Sequence, residues 1–365
     1  MPFDFQITTR IVFGEGRLAE LGSIAAGRGN HAVLVTGRRA MRQAGVTNRA
    51  AASLHAAGVR TTLAEMVPPE PSINDANRVL RVLEESAADI LIGIGGGSTL
   101  DVAKACAVAF GLSSVSEAIG QQVTKRLPMI AVPTTAGSGA EVTTGAIMTD
   151  EESGAKIAIR GEAVRPSIAL IDPDLLATVP ERASAATGFD ALAHGIEGLI
   201  ARRRSPVSDL FATTALQIMA KELAQPTHGR SRERLARAAL FGGLSVASAS
   251  TGFPHRLQQA MGVAGINISH GEGLALVYPA WIDHVSRYAP AELHRVDTLL
   301  GGEGATAETV GRLRAQLGLN GRLRDTGVQP KEIPRIAAAV SGSVENDPGA
   351  AGGTAALLSI LERSW

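Results

Sequence analysis

The sequence predicts an α/β domain built on a parallel sheet, followed by an all-helical domain. Three observations carry this reading. Short apolar runs alternate with helical patterns through the first half of the chain. A hairpin pattern with a polar tip then interrupts the alternation. From Pro180 onward the chain is mostly Ala-rich and helical in pattern. The boundary is therefore expected near Pro180, with an α/β domain over 1–180 and a helical domain over 181–365. A length of 365 residues fits about two domains.

The elements follow in order. HAVLVTG (31–37) reads as a strand ending in a glycine turn, and 41–58 as helical. TTLAEMV (61–67) is a strand, PPEPS (68–72) a loop and 74–87 a helix. ADILIGIGGG (88–97) is an apolar strand running into glycines, and 127–132 is another strand. Residues 142–149 and 156–159 flank DEESG as a β-hairpin, and 167–171 is a short strand. SDLFATTALQIMAKELA (208–224) and ERLARAALFGGLSVASA (233–249) are helices. The glycine-rich stretches at 301–304 and 349–353 read as loops, and no internal repeat is visible.

Composition narrows the function. Hydrophobic residues make up 45% of the chain, ample for buried cores. Thirty-five basic residues balance 35 acidic ones, and aromatics are only 3%, so neither a basic patch nor stacking platforms point to nucleic acid. The single cysteine, Cys106, excludes an intrachain disulfide and reads as a core residue. MPFDFQITTR lacks the pattern of a signal peptide, and no run approaches the ~18 apolar residues of a membrane span. The expected location is the cytoplasm, with no membrane partner.

Two loops look built for a ligand. Gly95, Gly96 and Gly97 follow an apolar strand, and Ser98 opens a helix. Asp101 stands three residues on, where a capping box usually has Glu. Such glycines let a pyrophosphate approach the free N–H groups of a helix N-terminus. The third glycine of the dinucleotide fingerprint is missing, so a plain tight turn remains an alternative to a phosphate cradle. PTTAGSGAE (133–141) equally suits ribose and phosphate contacts or a surface turn.

Eight histidines occur. His31, His55, His228, His284 and His294 read as structural or solvated. His194 differs, because Asp190 precedes it by four residues in TGFDALAHGIE (187–197), on the same face of a helix. His270 sits in ISHGEG and His255 just after a Gly-Phe-Pro break. One carboxylate and three imidazoles suit zinc, iron or a similar first-row metal. Local pairing of Asp190 with an arginine is the alternative.

GGGSTLDVAKA (95–105), PTTAGSGAEVT (133–143), IDPDLLATVPERASAATGFDALAHGIEG (171–198) and ISHGEGLALVYP (268–279) together resemble the iron-containing, or group III, alcohol dehydrogenases. FGEG (13–16) and ENDPG (345–349) are weaker landmarks, and the resemblance spans essentially the whole chain. It implies the dehydroquinate synthase-like fold: a dinucleotide-binding α/β domain, an all-α metal domain, and an active site between them. It implies metal ligands at Asp190, His194, His255 and His270, with iron or zinc as the divalent metal. It implies cofactor contacts at Gly95, Gly96, Gly97, Ser98, Thr134, Thr135 and Ser138. Asp101 and Lys104 match family residues after the loop, and Lys156 a family lysine near the nucleotide. The implied reaction is hydride transfer between NAD or NADP and a small alcohol or aldehyde, in a homodimer. Other readings are a lyase resembling dehydroquinate synthase and a non-catalytic nucleotide-binding protein.

Three departures from the family pattern stand out. Gln259 occupies the position where many members carry a second histidine near the substrate, and an amide cannot relay protons by titrating near neutrality. The first strand ends in Val35-Thr36-Gly37 rather than Val-Thr-Asp, and Arg38 and Arg39 follow. Without the acid, a 2′-phosphate is not repelled, and an arginine can bind it, which favours NADP or use of both cofactors. Arg256 follows a ligand histidine where a small residue is common. It is expected to be a structural ion-pair partner, with an anionic-substrate clamp as the alternative.

Overall fold

The structure, a computed structural model, describes residues 2–365 except 124, 125, 224, 226–228, 267 and 343. The expectation for His228 therefore lies outside the described residues.

The apolar runs form one six-stranded sheet: β1 (Arg10–Phe13), β2 (His31–Gly37), β3 (Arg60–Val67), β4 (Ile90–Gly95), β5 (Met129–Pro133) and β8 (Ile168–Ile171). Its order is β1-β8-β5-β4-β2-β3, parallel throughout. Central strands such as ILIGIG are buried on both faces, which is why they read as continuous apolar runs rather than alternating ones. Helices α1 (Leu21–Ala26), α2 (Ala40–Gln43), α3 (Val46–Ala56), α4 (Ile73–Glu85) and α5 (Gly97–Ala109) cover the two faces. Ala32 and Leu34 of β2 pack with α1 and α3, while Val33 and Val35 pack with α4 and α5. β6 (Gly145–Thr149) and β7 (Lys156–Arg160) form the separate antiparallel hairpin.

Sheet topology fixes where a ligand can sit. β2 lies between β3 and β4, so the chain leaves it towards one neighbour and later returns to its other side. The carboxyl ends of β2 and β4 thus flank a topological switch point, where doubly wound sheets bind dinucleotides.

The remainder is helical: α6 (Glu181–Ile200), α7 (Pro206–Leu223), α8 (Arg232–Ala249), α9 (Phe253–Ala260), α10 (His270–Val285), α11 (Pro290–Leu299), α12 (Thr306–Gln316), α13 (Ile333–Ala338) and α14 (Gly353–Ser364). α6 is apolar nearly all round and is buried from Gly188 to Ile200, as a central helix must be. Phe189 packs edge-on against Tyr278, which packs on Trp281. No helix among the described residues is long and apolar enough to cross a membrane.

Several expectations need correction. The helix expected over 41–58 is two helices, broken where Gly45 adopts φ 69°. The first hairpin strand starts at Gly145, because residues 141–144 are still turning. β1 was not foreseen, since four residues of edge strand carry no usable periodicity. The stretch 349–353 is not an open loop: Pro348–Gly352 is a tight helical turn that runs into α14, with the Asp347 side chain accepting from Gly349 N.

Candidate metal and nucleotide site

The nucleotide side is built from loops at the carboxyl edge of the sheet. α5 starts at Gly97 with Gly96 as its N-cap and no side-chain cap. The expected Ser98–Asp101 capping box is therefore absent. The first turn keeps its N–H groups free, which is what an anion needs there. Both Asp101 oxygens are committed instead, accepting from Lys104 Nζ at 2.9 Å and Ile147 N at 3.0 Å. Asp101 is a brace between α5 and the hairpin, not a free ligand. Buried Lys104 also donates to Ala140 O and Thr143 Oγ1.

The 133–141 loop lies directly beside the glycines. Thr134 N donates to Gly95 O at 3.0 Å. A Cβ on Gly97 would stand 2.9 Å from Ser138 Oγ, so glycine is what admits this close approach. Thr134 is buried, whereas Thr135, Ser138 and Ser98 remain partly open to the cleft. Arg38 and Arg39 are exposed just past Gly37, and no carboxylate pairs with either among the described residues.

The same loop touches the helical domain. His194 Nδ1 donates to Gly137 O at 3.3 Å, so a backbone carbonyl of the 133–141 loop orients a residue of α6. The four candidate ligands come from three helices: Asp190 and His194 from α6, His255 from α9, and His270 from the first turn of α10. The i, i+4 spacing does place Asp190 and His194 on one face, with Asp190 Oδ1 3.6 Å from His194 Nε2. His255 Nε2 stands 3.4 Å and His270 Nε2 3.6 Å from that same oxygen. No arginine pairs with Asp190 among the described residues.

The donor set fits a cation. All three Nδ1 atoms are occupied as donors: His194 to Gly137 O, His255 to Glu197 Oε1 at 2.8 Å, and His270 to Gln258 Oε1 at 2.5 Å. The tautomers this imposes leave three Nε2 lone pairs converging on one point. His194 Nε2 and His255 Nε2 lie 3.0 Å apart, and buried Asp190 Oδ1 has no hydrogen-bond partner among the described residues. Asp190, His255 and His270 offer ligand atoms all within 4.8 Å of one another. Buried Asp190 and His194 are sealed in, while the His270 side chain is 33% exposed, so the cluster opens on that side.

The electrostatics agree. Burial alone would raise the Asp190 carboxyl, but the three imidazoles hold it far below the usual carboxylate range. Burial pulls His194 down to about 4. Burial also disfavours charge on His255, but Glu197 and Asp190 outweigh it and raise that imidazole to about 9. The centre thus favours a positive charge among these side chains, which a divalent metal supplies.

Glu197 went unassigned in the sequence. It is buried, accepts from Gly252 N at 2.7 Å and from Tyr278 Oη at 3.3 Å, and orients His255. Its spacing was the available signal, since it lies seven residues after Asp190 on the same helix. Gln258 was likewise unassigned, and nothing in HRLQQ distinguishes it from Gln259. The other histidines within the described residues behave as expected: His31 bonds Thr62 Oγ1 and His284 bonds Gly349 O. Cys106 is buried in the core, and burial pushes its thiol up. Arg256 does not fulfil its expectation: it is buried with no carboxylate paired to it among the described residues, its NH1 and NH2 donating to the neutral oxygens of Gln259 and Thr251.

A switch-point glycine cradle facing a carboxylate and three imidazoles defines a two-domain, dinucleotide-linked metalloenzyme. Residues 8–173 match the iron-containing alcohol dehydrogenase family, and residues 184–352 match the C-terminal domain of the Fe-containing alcohol dehydrogenase family. The chain is 32% identical to a probable alcohol dehydrogenase, EutG, of Salmonella typhimurium over 90% of this chain and 85% of that one. It is 30% identical to a lactaldehyde reductase of Escherichia coli over 90% of both chains. A crystal structure of a 1,3-propanediol oxidoreductase superposes over 100% of both chains with a TM-score of 0.93 at 27% identity.

The chain belongs to the iron-containing alcohol dehydrogenase family. It is a metal-dependent oxidoreductase that transfers a hydride between NAD(P) and a small alcohol or aldehyde.

Proposed function

We propose that Asp190, His194, His255 and His270 hold the divalent metal and that the enzyme reduces small aldehydes, or oxidises the matching alcohols, in the cleft beside them. The convergence of three Nε2 atoms on the unpartnered Asp190 Oδ1 carries this reading. A divalent metal held there would supply Lewis-acid chemistry, polarising the carbonyl or acidifying the hydroxyl. The 1–180 domain presents the nicotinamide cofactor, and the 181–365 domain positions the substrate oxygen at the open, His270 side.

The chain's own residues orient and shield. Gly95, Gly96, Gly97 and Ser98 cradle the pyrophosphate, and Thr135 and Ser138 contact it or the ribose. Thr134 ties the two loops together through its bond to Gly95. Arg38 and Arg39, beside Gly37, favour NADP or use of both cofactors. Lys156 stands on the cleft wall, paired with Glu70 at 2.5 Å. Gln259 does not titrate, so the proton leaves through water or the cofactor ribose. Either iron or zinc suits one carboxylate with three imidazoles. The family supports a homodimer, and the single buried cysteine agrees with the cytoplasm.

The decisive test is turnover of short aldehydes with NADH and NADPH, on protein loaded separately with iron and with zinc. Full activity in metal-stripped protein would overturn the metal assignment.

A further inference from the structure

A buried arginine normally has an acid to neutralise it. Arg256 is 4% exposed, and among the described residues no carboxylate pairs with it. NH2 donates to Thr251 Oγ1 at 2.7 Å and NH1 to Gln259 Oε1 at 3.0 Å, both neutral acceptors. Buried Nε has no hydrogen-bond partner among the described residues. The guanidinium's direct hydrogen-bond partners among the described residues are all neutral, and the nearby carboxylates Glu197 and Glu345 do not touch it.

The surroundings add positive charge. Arg256 and Gln259 line one wall of a narrow crevice, and Lys156 of the hairpin and Ser341 line others. The partner of Lys156, Glu70, is 39% exposed and faces solvent. The crevice also adjoins the metal cluster. Gln259 lies one helical turn after His255 on the same face of α9.

We propose that this crevice is an anion subsite, and that the preferred substrate is a short alcohol or aldehyde bearing a terminal carboxylate, sulfonate or phosphonate gripped by Arg256. The proposal rests on the dehydrogenase reading above and names the substrate class of that same site. Gln259 Oε1 occupies the place of one anionic oxygen. Its flexible amide swings aside when a charged acceptor arrives, which exchanges a neutral hydrogen bond for a charge-assisted one. A histidine at 259 would offer no such acceptor beside a guanidinium once protonated. Gln259 in place of the family histidine, and the unpaired Arg256, thus have one explanation.

The experiment compares the metal-loaded enzyme on 4-oxobutanoate, 2-oxoethanesulfonate and 2-oxoethylphosphonate with uncharged butanal, and titrates the corresponding alcohols calorimetrically. The expected result is at least one anionic aldehyde with kcat/KM about 100-fold above butanal, and binding of its alcohol where 1-butanol binds weakly. The ratio should fall to near one in Arg256→Gln and recover only partly in Arg256→Lys, which keeps the charge but loses the fork. The ratio is read within each variant, so partial loss of folded protein does not disturb it. Equal efficiency on charged and uncharged aldehydes overturns the subsite but leaves the dehydrogenase. An anion preference that survives Arg256→Gln does the same. No turnover of any aldehyde, with no alcohol bound, overturns both.

Discussion

Glu197 Oε1 accepts from His255 Nδ1 at 2.8 Å, and the bond runs between two different helices, α6 and α9. The carboxylate fixes the tautomer of His255 and raises its basicity, which turns Nε2 towards Asp190. Glu197 is a positioning residue, because it touches His255 and not the metal point. Glu197→Gln should weaken metal affinity by about 10- to 100-fold while leaving the folded helical content unchanged. Competition with a metal chelator, read beside circular dichroism, checks this. Unchanged metal affinity would remove the positioning role. Glu197→Asp, which keeps the charge on a shorter arm, should recover part of the affinity.

The exposed pair Arg38 and Arg39 makes a separate prediction about the cofactor. They follow the β2 terminus where an acid would exclude a 2′-phosphate, and no described carboxylate neutralises them. Replacing both with Ala should raise KM for NADPH by about tenfold or more and leave KM for NADH nearly unchanged. Steady-state kinetics with both cofactors decides it. A strong NADH preference in the wild type that survives the double substitution contradicts the 2′-phosphate assignment.

How much of this was legible beforehand depended on the range of each signal. Asp190 and His194 announce themselves because one helical turn joins them. His255 and His270 belong to other helices, and only the family resemblance linked them to the pair. The glycine loop reads as an anion cradle or a plain tight turn, and its cap was misassigned. Ser98 looked like a capping residue, whereas Gly96 caps the helix with its backbone and Asp101 turns towards Lys104. β1 was invisible because a four-residue edge strand is specified by β8, more than 150 residues away. Arg256 shows the limit most clearly: its charge was obvious, but its neutral hydrogen-bond partners are a property of the packed neighbours.

Glu141 gives a pH prediction away from the metal. It is buried at the end of the 133–141 loop, and burial pushes its carboxyl up to about 7, with Lys104 pulling the other way. The unfolded chain releases this proton near pH 4.3, the ordinary glutamate value. Between those two values the folded state holds a proton that the unfolded state has lost. Its contribution to stability is thus full below about pH 4 and fades as pH rises to about 7, a change on the order of 3 kcal/mol. Glu141→Gln is neutral at every pH and should flatten that slope. Denaturant midpoints at pH 5 and pH 8 measure it, and an equal fall in variant and wild type would remove Glu141 as the cause.

His270 is the ligand whose loss should least disturb the fold. It opens α10, and its side chain is 33% exposed, whereas Asp190 and His194 lie inside the α6 core. His270→Ala deletes one of the three Nε2 atoms without opening a cavity in the packed interior. The variant should keep wild-type helical content and cooperative unfolding, yet bind less than stoichiometric metal and lose turnover by at least about a thousandfold. The wild type should gain thermal stability on metal loading, because the ion binds a site that exists only in the folded state. His270→Ala should lose most of that gain. Elemental analysis of purified protein, with melting curves taken with and without added metal, separates the outcomes. A variant that retains full metal and the full thermal gain would show that Asp190, His194 and His255 suffice, and would move His270 from ligand to substrate contact.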